Sequence, residues 1–363
     1  MEIYFKDFNK QLSIKARDTR TPLIGVFELT GRCNLACKMC YVRKSPSDPV
    51  ARRGELSAAR WKQIADQAVE AGLFYLLLSG GEVFLRPDFL DIYDHLRSLG
   101  LSIAINTNAS LVTPKIASRL GDFPPDQVSV TLYGASAETY EKVSGSGAGF
   151  ERTIRGLDLL REYNLNIQVR TTIIQQNYQD LEKIFNIAKG YGSNLRVSDY
   201  VFTTRDDIGT DPYSVRLSPQ EMAKVLRKYY ALLGLDVSDE PKPVSEVPNA
   251  SEQIEHAALN YIDPTYAFPC GVAQNSFVIS SNGKMLGCLL LNEPAIPTTD
   301  NFINDWNALY EVCKTVPICE ECNSCELKRA CRACSAKLKG ETGSFERKAP
   351  YVCELTEQFV KKG

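Results

Sequence analysis

The 363-residue sequence contains only two histidines, His95 and His256, and it has no strongly basic run. With so few imidazoles, histidine-based acid–base catalysis and histidine-rich metallohydrolase sites are nearly excluded. Lysine plus arginine (42) nearly balance aspartate plus glutamate (44), so nucleic acid is a poor candidate partner. We expect His95 to be packed or solvated on a helix, whereas His256 lies in an acidic stretch and indicates little.

The sequence also lacks any uninterrupted run of about 20 apolar residues, the length of a membrane span. Its N-terminus mixes charged and apolar residues, unlike a signal peptide. These absences predict a cytoplasmic chain with no membrane partner. In that reducing compartment, the 12 cysteines favour metal ligation over a disulfide framework.

Between residues 22 and about 200, short apolar runs alternate with segments of helical periodicity. This alternation predicts six strands separated by helices, which is typical of parallel βα units. Six units are too few for an eight-stranded barrel. The predicted fold is therefore α/β, a partial (β/α)6 TIM-like barrel with polar loops at the carboxyl ends of its strands.

The pattern changes after the barrel. We predict an N-terminal segment at 1–21, the barrel at 22–216, a capped helix and acidic linker at 217–262, and a small cysteine-rich domain at 263–363. The last part has few apolar residues, a composition typical of a domain held together by metal. Asn282-Gly283, between two apolar segments, predicts a β-hairpin with a type I′ turn.

Three cysteines stand close together in "GRCNLACKMCYV": Cys33, Cys37 and Cys40. Their spacing fits one face of a helix, and three thiols are also a partial zinc site. Gly31 and Asn34 favour a loop, however, and the remaining cysteines begin only at residue 270. We favour a four-iron cluster with three protein ligands and one open iron. A molecule with an amine and a carboxylate on one carbon can chelate that iron.

This C-x3-C-x2-C spacing after a first strand, with Tyr41 directly following, resembles the radical S-adenosylmethionine (radical SAM) enzymes. The resemblance implies that a reduced cluster cleaves S-adenosylmethionine to a 5′-deoxyadenosyl radical, which takes a hydrogen from the substrate. "SGGE" ends the second predicted strand, as a glycine-rich motif does in that family. Gly80 and Gly81 suit a close approach of backbone to a ligand, and Glu82 can pair with the cofactor ammonium.

Further polar residues end the later strands, and the resemblance covers roughly residues 22–200. It implies that Asn106, Asn108 and Thr131 contact the ribose and adenine of the cofactor, although such side chains also cap ordinary turns. Arg170, on the fifth strand, is our candidate for binding the cofactor carboxylate.

The C-terminal cysteines resemble the SPASM extension of radical SAM enzymes, which carries two auxiliary four-iron clusters. The departure is "CRAC", which has two residues between its cysteines where the familiar pattern has three. Zinc is the alternative, since C-x2-C pairs also form zinc knuckles. Cys313 and Cys319 lie outside the pattern, and we expect Cys319 to complete the nearer cluster. By analogy, the farther cluster is held by Cys322, Cys325, Cys331 and Cys353, and the nearer one by Cys270, Cys288 and Cys334.

The loop after the sixth strand carries Arg205, Asp206 and Asp207, which either bind a polar substrate or form a solvated loop. Tyr133 and Tyr200 lie near strand ends, where they are either buried or close to a substrate or radical.

The resemblance implies an oxidoreductase with S-adenosylmethionine and three four-iron clusters. We expect a ribosomally made peptide as substrate, undergoing thioether or carbon–carbon crosslinking, epimerisation or oxidation. An external one-electron reductant of the flavodoxin or ferredoxin type is also implied. Only some 30 residues precede the cysteine loop, so we expect either that a leader-binding domain is a separate protein or that the substrate is a protein or a small molecule. The alternatives are a dehydrogenase of a sugar or aminocyclitol alcohol, or of another small molecule, and a non-enzymatic electron-transfer protein.

Overall fold

A computed structural model of the chain describes residues 5–205, 211–235 and 265–360. Within them, nine strands form a single sheet in the order β6-β5-β4-β3-β2-β1-β7-β8-β9. The first seven are all parallel to one another, and β8 and β9 run antiparallel to their neighbours. The strands are β1 Ile24–Thr30, β2 Tyr75–Gly80, β3 Ser102–Thr107, β4 Gln127–Thr131, β5 Ile167–Thr172, β6 Arg196–Ser198, β7 Ser276–Ile279, β8 Lys284–Leu286 and β9 Ala295–Pro297.

Helices connect the parallel strands, as the alternating pattern predicts, so the α/β fold with a partial parallel barrel is confirmed. The helices at residues 5–18 and 49–54, and those in the cysteine-rich region, are not predicted by the sequence pattern. None of the described helices is long and apolar enough to cross a membrane. The helices are α1 Phe5–Asp18, α2 Pro49–Gly54, α3 Ala58–Glu70, α4 Phe89–Ser98, α5 Pro114–Asp122, α6 Ala137–Ser144, α7 Ala148–Glu162, α8 Leu181–Gly190, α9 Pro219–Leu232, α10 Phe302–Lys314, α11 Glu320–Asn323, α12 Ser335–Thr342 and α13 Pro350–Val360.

The hydrophobic core lies between the sheet and the helices. Phe27 of β1 is fully buried, and its ring lies 4.9 Å from that of Trp61 on α3. Because side chains alternate along a strand, the neighbouring Glu28 points to the opposite face, the inside of the barrel. The interior positions at the strand ends are therefore available to polar residues.

The described part of the cysteine-rich region continues the barrel sheet, because β7 pairs directly with β1. Phe277 of β7 lies opposite Gly25 in the register, and its ring packs against those of Phe302 (5.0 Å) and Trp306 (6.1 Å) on α10. This apolar contact joins α10, and the cysteines around it, to the barrel.

The predicted hairpin is present as β7 and β8, but its predicted type I′ turn is wrong. Such a turn needs positive φ at both central residues, and Gly283 (φ 78°) has one while Asn282 does not. The connection is longer: the Ser280 N–H donates to the Lys284 carbonyl (2.9 Å), and the Gly283 N–H to the Ser280 carbonyl (3.0 Å). The hairpin therefore needs only one left-handed residue.

The helix predicted after the barrel is α9, and its capping box of Ser218 and Glu221 is confirmed. It packs on α13, where the Tyr351 hydroxyl donates to the Leu217 carbonyl (3.0 Å). Most of the predicted acidic linker, including His256, lies outside the described residues. The division into domains therefore stays a prediction.

We predict that Phe277→Ala destabilises the protein by about 3–5 kcal/mol, because Phe277 is 1% exposed and loses its contacts with both β1 and α10. Thermal unfolding of the purified protein measures this effect. The matched control is Phe74→Ala, since Phe74 is 45% exposed and should change stability far less. Equal effects of the two substitutions would contradict the role assigned to this contact.

Candidate active site

Cys33, Cys37 and Cys40 lie in the loop that follows β1. No helix forms between Thr30 and Pro49, so the helical-stripe interpretation is wrong. Burial raises the pKa of the Cys33 thiol to about 12, and the charges of Glu82 and Cys40 add to the rise. Burial likewise raises the pKa of Cys37 and of Cys40. Such thiols ionise only where a cation, such as a metal centre, compensates the buried charge.

A buried ion pair anchors the start of this loop. The Arg32 guanidinium binds the Glu55 carboxylate through two hydrogen bonds of 2.8 and 2.9 Å, and both side chains are 8% exposed. The Thr30 hydroxyl donates to the same carboxylate. Arg86 donates to the Leu29 carbonyl at the end of β1 (2.9 Å). Sequence reasoning missed these residues, because nothing in their spacing links them to the cysteines.

The two glycines that end β2 lie directly against the backbone of the cysteine loop. The Gly81 N–H donates to the Thr30 carbonyl (2.7 Å). A Cβ atom on Gly80 would lie 2.2 Å from the Thr30 carbonyl oxygen, and one on Gly81 would lie 2.2 Å from that of Arg32. The close approach predicted for these glycines is therefore present, but the partner that the structure shows is the protein's own loop.

Glu82, the next residue, is fully buried and ties the ends of two strands together. Its carboxylate accepts hydrogen bonds from the Phe84 N–H (3.1 Å), the Thr107 hydroxyl (2.7 Å) and the Asn108 N–H (2.8 Å). Burial raises its pKa, and these three donors oppose the rise. A carboxylate has about four acceptor positions, so one is left for a further donor such as an ammonium group.

Asn108 lies beside the cysteines. Its amide donates to the Asn34 side-chain oxygen (3.1 Å) and contacts the Cys33 sulfur (3.7 Å). Its own oxygen accepts from the Ser110 N–H (2.9 Å) and hydroxyl (2.6 Å). The side chain that we expected to touch the cofactor thus also fixes the position of the cysteine loop.

A row of polar side chains crosses the inside of the barrel. Glu28 pairs in register with Ser79 and Asn106 with Ser129, while the Asn106 amide lies 3.5 Å from the Ser79 hydroxyl. The Asn106 side-chain oxygen is buried, and no described residue donates a hydrogen bond to it. This orphaned acceptor fits a bound polar cofactor.

Two residues after Ser129, at the next interior-facing position of β4, Thr131 pairs in register with Arg170 of β5, which pairs with Arg196 of β6. Because paired residues of parallel strands point to the same face, the hydroxyl and the two guanidinium groups lie side by side. This part of the strand ends therefore carries two guanidinium groups, a type of donor that binds carboxylates.

Arg205 is not part of a solvated loop, because its side chain is only 7% exposed, and its binding of a polar substrate stays a prediction. Its guanidinium makes a 2.6 Å ion pair with Glu28 and donates to the Leu289 carbonyl (3.0 Å), while its N–H donates to the Tyr41 carbonyl (2.9 Å). It therefore connects the cysteine loop, the barrel interior and the segment after Cys288. Asp206 and Asp207 lie outside the described residues.

The two aromatic candidates, Tyr133 and Tyr200, have different surroundings. Tyr133 lies in hydrogen-bond contact with Cys37, and burial strongly raises its pKa. Tyr200 is buried away from the cysteine triplet and donates to Glu341 of α12 (2.6 Å). His95 makes a 2.7 Å contact with Asp66 on the partly exposed surface between α4 and α3, as expected for a non-catalytic residue.

The C-terminal cysteines fall into two groups, judged by the charges that act on each thiol. We call the first the inner group. Burial raises the pKa of Cys270 to about 11, and the charge of Cys334 adds to the rise. The pKa of Cys288 is raised by burial and then by the charges of Cys270 and Cys334. Cys313 also lies near Cys270. The inner group therefore comprises Cys270, Cys288, Cys313 and Cys334.

The second or outer group includes Cys319, against our expectation. Burial is the largest of the causes that raise the pKa of Cys322 to about 12. A hydrogen-bond contact with Cys319 and the charges of Cys353 and Cys331 also raise it. Cys325 and Cys331 both act on Cys353. Cys319 is the N-cap of the short helix α11, which contains Cys322, and this places it in the outer group. The outer group comprises Cys319, Cys322, Cys325, Cys331 and Cys353.

All three sets of cysteines offer thiols as ligands, the donor type of iron–sulfur clusters. Over residues 5–205, 211–235 and 265–360, no three Cys, His, Asp or Glu side chains converge on a position for a single metal ion. In a four-iron cluster each thiolate binds a different iron, so the sulfurs stand apart.

Comparison with known proteins supports the radical SAM resemblance. Residues 27–188 match the family model described as the Radical SAM superfamily, and the chain is similar to enzymes of that superfamily, whose members bind S-adenosylmethionine and a four-iron cluster. It is 28% identical to the AdoMet-dependent heme synthase of Methanosarcina barkeri, over 92% of this chain and 97% of that protein. It is 31% identical to the mycofactocin maturase MftC of Mycobacterium tuberculosis, over 50% of this chain and 46% of that protein, so the match spans about half of this second relative.

A further relative is the antilisterial bacteriocin subtilosin biosynthesis protein AlbA of Bacillus subtilis, 26% identical over 74% of this chain and 55% of that protein. The fold is similar to that of Streptococcus suis SuiB (TM-score 0.67, 15% identity, 93% of this chain and 80% of that chain). It is equally similar to AdoMet-bound anSMEcpe (TM-score 0.67, 16% identity, 93% and 96%). At such identities the two structures show the fold alone.

We predict that Gly81→Ala removes iron from the first cysteine site, because a Cβ atom collides with the Arg32 carbonyl and displaces the loop. Iron analysis after anaerobic reconstitution should show a loss of about four irons per chain. Gly54→Ala is the control, since a Cβ there meets no atom within 4 Å. Full iron content in Gly81→Ala would show that the close approach is not needed to build the site.

Proposed function

We propose that Cys33, Cys37 and Cys40 hold a four-iron cluster whose fourth iron binds S-adenosylmethionine, and that the enzyme removes a hydrogen atom from a peptide. The observation that carries this proposal is the placement of the three thiols in the loop after β1, where Cys33 contacts the Asn108 amide at the end of the strand that also carries the orphaned oxygen of Asn106. When bound, the cluster and S-adenosylmethionine supply a 5′-deoxyadenosyl radical. An external one-electron reductant of the flavodoxin or ferredoxin type completes the system.

The chain's own residues have definable parts in binding the cofactor. Glu82 has one acceptor position left for the ammonium group, and Arg170 suits the carboxylate. The oxygen of Asn106 and the hydroxyl of Thr131 face the interior, where they suit the ribose and adenine. Asn108 acts mainly through the loop, because its amide is used by Asn34. The Tyr41 carbonyl accepts a hydrogen bond from the Arg205 backbone N–H, and this contact restricts the positions open to the Tyr41 ring.

The inner and outer groups are proposed to hold two auxiliary four-iron clusters, which gives about twelve irons per chain. The inner group lies near the radical site, because Arg205 contacts both the Tyr41 and the Leu289 carbonyls. That position suits an electron acceptor close to the substrate. Dehydrogenases with one auxiliary cluster remain the alternative, for which about eight irons are expected.

Support for a peptide substrate comes from the relatives and from one cavity. AlbA is named for the biosynthesis of the bacteriocin subtilosin and MftC for the maturation of mycofactocin, and a crystal structure shows SuiB bound to its precursor peptide SuiA. In this chain, a cavity of about 290 Å³ lies between the segment after β6 and the C-terminal region, beside Arg205. Its walls combine the hydroxyls of Thr203 and Thr204 with the apolar Leu290 and Leu291. Such mixed walls suit a peptide segment.

A second candidate substrate is a tetrapyrrole. The observation in its favour is that the match to the heme synthase extends over almost the whole of both chains, whereas the match to mycofactocin maturase covers half.

We predict that Cys37→Ala abolishes formation of 5′-deoxyadenosine, because the first cluster loses one of its three thiolates. The variant should keep about eight of about twelve irons, since the C-terminal cysteines are unchanged. Chromatography of the reduced reaction measures 5′-deoxyadenosine, and iron analysis measures the clusters. Formation of 5′-deoxyadenosine by the variant would show that the cofactor site is assigned wrongly.

Two parallel reactions decide the substrate. Each contains the reduced wild-type enzyme and S-adenosylmethionine. One adds a peptide encoded by a short open reading frame beside its gene, and the other adds Fe-coproporphyrin III, a compound that another relative is named for making. We expect mass spectrometry to show a peptide that has lost hydrogen, or in D₂O gained deuterium at one position, while the porphyrin is unchanged. Consumption of the porphyrin with an unchanged peptide would overturn the peptide proposal, and Cys37→Ala controls both reactions.

A further inference from the structure

Cys313 is a fully buried cysteine that the SPASM resemblance leaves without a role. It lies in the last turn of α10, and its sulfur packs against Gly287, where a Cβ atom would stand 3.0 Å from it. Gly287 directly precedes Cys288. The absence of a side chain at Gly287 therefore allows the Cys313 sulfur to approach the backbone that carries Cys288.

The remaining inner-group residues lie on the same side. Cys313 contacts the hydroxyl of Tyr266, and this hydroxyl donates to the Val272 carbonyl (2.8 Å), two residues after Cys270. The Ser335 hydroxyl donates to the Ala267 carbonyl, so the segment that carries Cys334 lies against the segment that carries Cys270. The charge of Cys270 also acts on Cys313, and the charges of Cys270 and Cys334 act on Cys288. Four thiols from four separate segments therefore meet in one region.

Helix α10 is positioned firmly enough to present a ligand. Its Asn301 cap, the packing of Trp306 on Phe277 and the hydrogen bond from the Trp306 indole to the Arg20 carbonyl (2.7 Å) attach it to the barrel. The Arg17 guanidinium donates to the Pro269 carbonyl (3.1 Å) and so fixes the segment of Cys270 to α1. The inner group is thus assembled from rigid elements, as a metal site requires.

We propose that Cys313 is the fourth thiolate ligand of the inner cluster, so that every iron of this cluster carries a protein ligand and none is open to substrate. The assignment rests on the proposed function, which supplies the cluster. A cluster held by these four thiolates would serve as a one-electron acceptor that forms no bond to the substrate: the substrate radical would lose one electron to it and one proton to solvent. The substrate therefore binds beside the inner cluster and is not ligated to it.

Cys319 provides a matched control. It is buried like Cys313 and also lies outside the familiar cysteine pattern, but it belongs to the outer group. That group already has the four thiols of Cys322, Cys325, Cys331 and Cys353. On this proposal, the Cys319 thiol is not required for holding a cluster.

The test compares Cys313→Ala and Cys319→Ala with wild type, each as the full chain reconstituted anaerobically and reduced in the presence of S-adenosylmethionine, which occupies the first cluster. Iron content and the EPR spectrum are recorded with and without ¹³C-labelled cyanide. We expect Cys313→Ala either to lose about four irons or to keep them and bind cyanide at a newly open iron. Wild type and Cys319→Ala should keep about twelve irons and show no cyanide signal from an auxiliary cluster.

The inference fails if Cys313→Ala keeps all its iron and remains insensitive to cyanide, or if Cys319→Ala shows these losses instead. A lower melting temperature alone in Cys313→Ala would likewise overturn it, because a cysteine that only packs changes stability and not ligation. These outcomes are distinct from failure of the proposed function, in which reconstituted wild type itself contains no iron–sulfur clusters. The S-adenosylmethionine-dependent signal of the first cluster shows that each variant is folded.

Discussion

The site depends on one steric constraint, the direct contact between the backbone of the cysteine loop and the backbone at the end of β2. Gly80 and Gly81 leave no room for a Cβ atom against the Thr30 and Arg32 carbonyls. This contact sets the depth of the cysteine loop in the barrel. Glu82 then extends the same connection to β3 by accepting hydrogen bonds from Thr107 and Asn108. Three consecutive residues therefore join the loop to two neighbouring strands.

Two buried ion pairs reinforce this arrangement from opposite sides. Arg32 and Glu55 hold the beginning of the cysteine loop, and Arg205 and Glu28 hold its end through the Tyr41 carbonyl. Removing one partner of such a pair leaves a buried charge uncompensated, which costs far more than the pair itself contributes. These pairs restrict the loop to one geometry, and this suits thiols that must bind a cluster of fixed dimensions.

The sequence predicts best where the information is local. The alternation of strands and helices, the capped helix at Ser218 and the cysteine triplet are all encoded within short windows. It predicts poorly where distant segments meet. Arg205 and Glu28 are 177 positions apart, and no spacing rule joins them. The type I′ turn predicted at Asn282-Gly283 is wrong for a different reason. The dipeptide suits a two-residue turn, but the hairpin has a longer connection.

The misplacement of Cys319 shows the same limit and has a functional consequence. We expected Cys319 to complete the nearer cluster because it stands next to a C-x2-C pair in the sequence. That pair belongs to the outer group, so the same closeness places Cys319 there. Cys313 reaches the inner group because α10 packs across β7, a tertiary contact made by Phe277 and Trp306. The helix that closes the core of the C-terminal region is therefore also the element that delivers the fourth thiol. Since core packing and ligation share one helix, the inner site and the attachment of this region to the barrel form together.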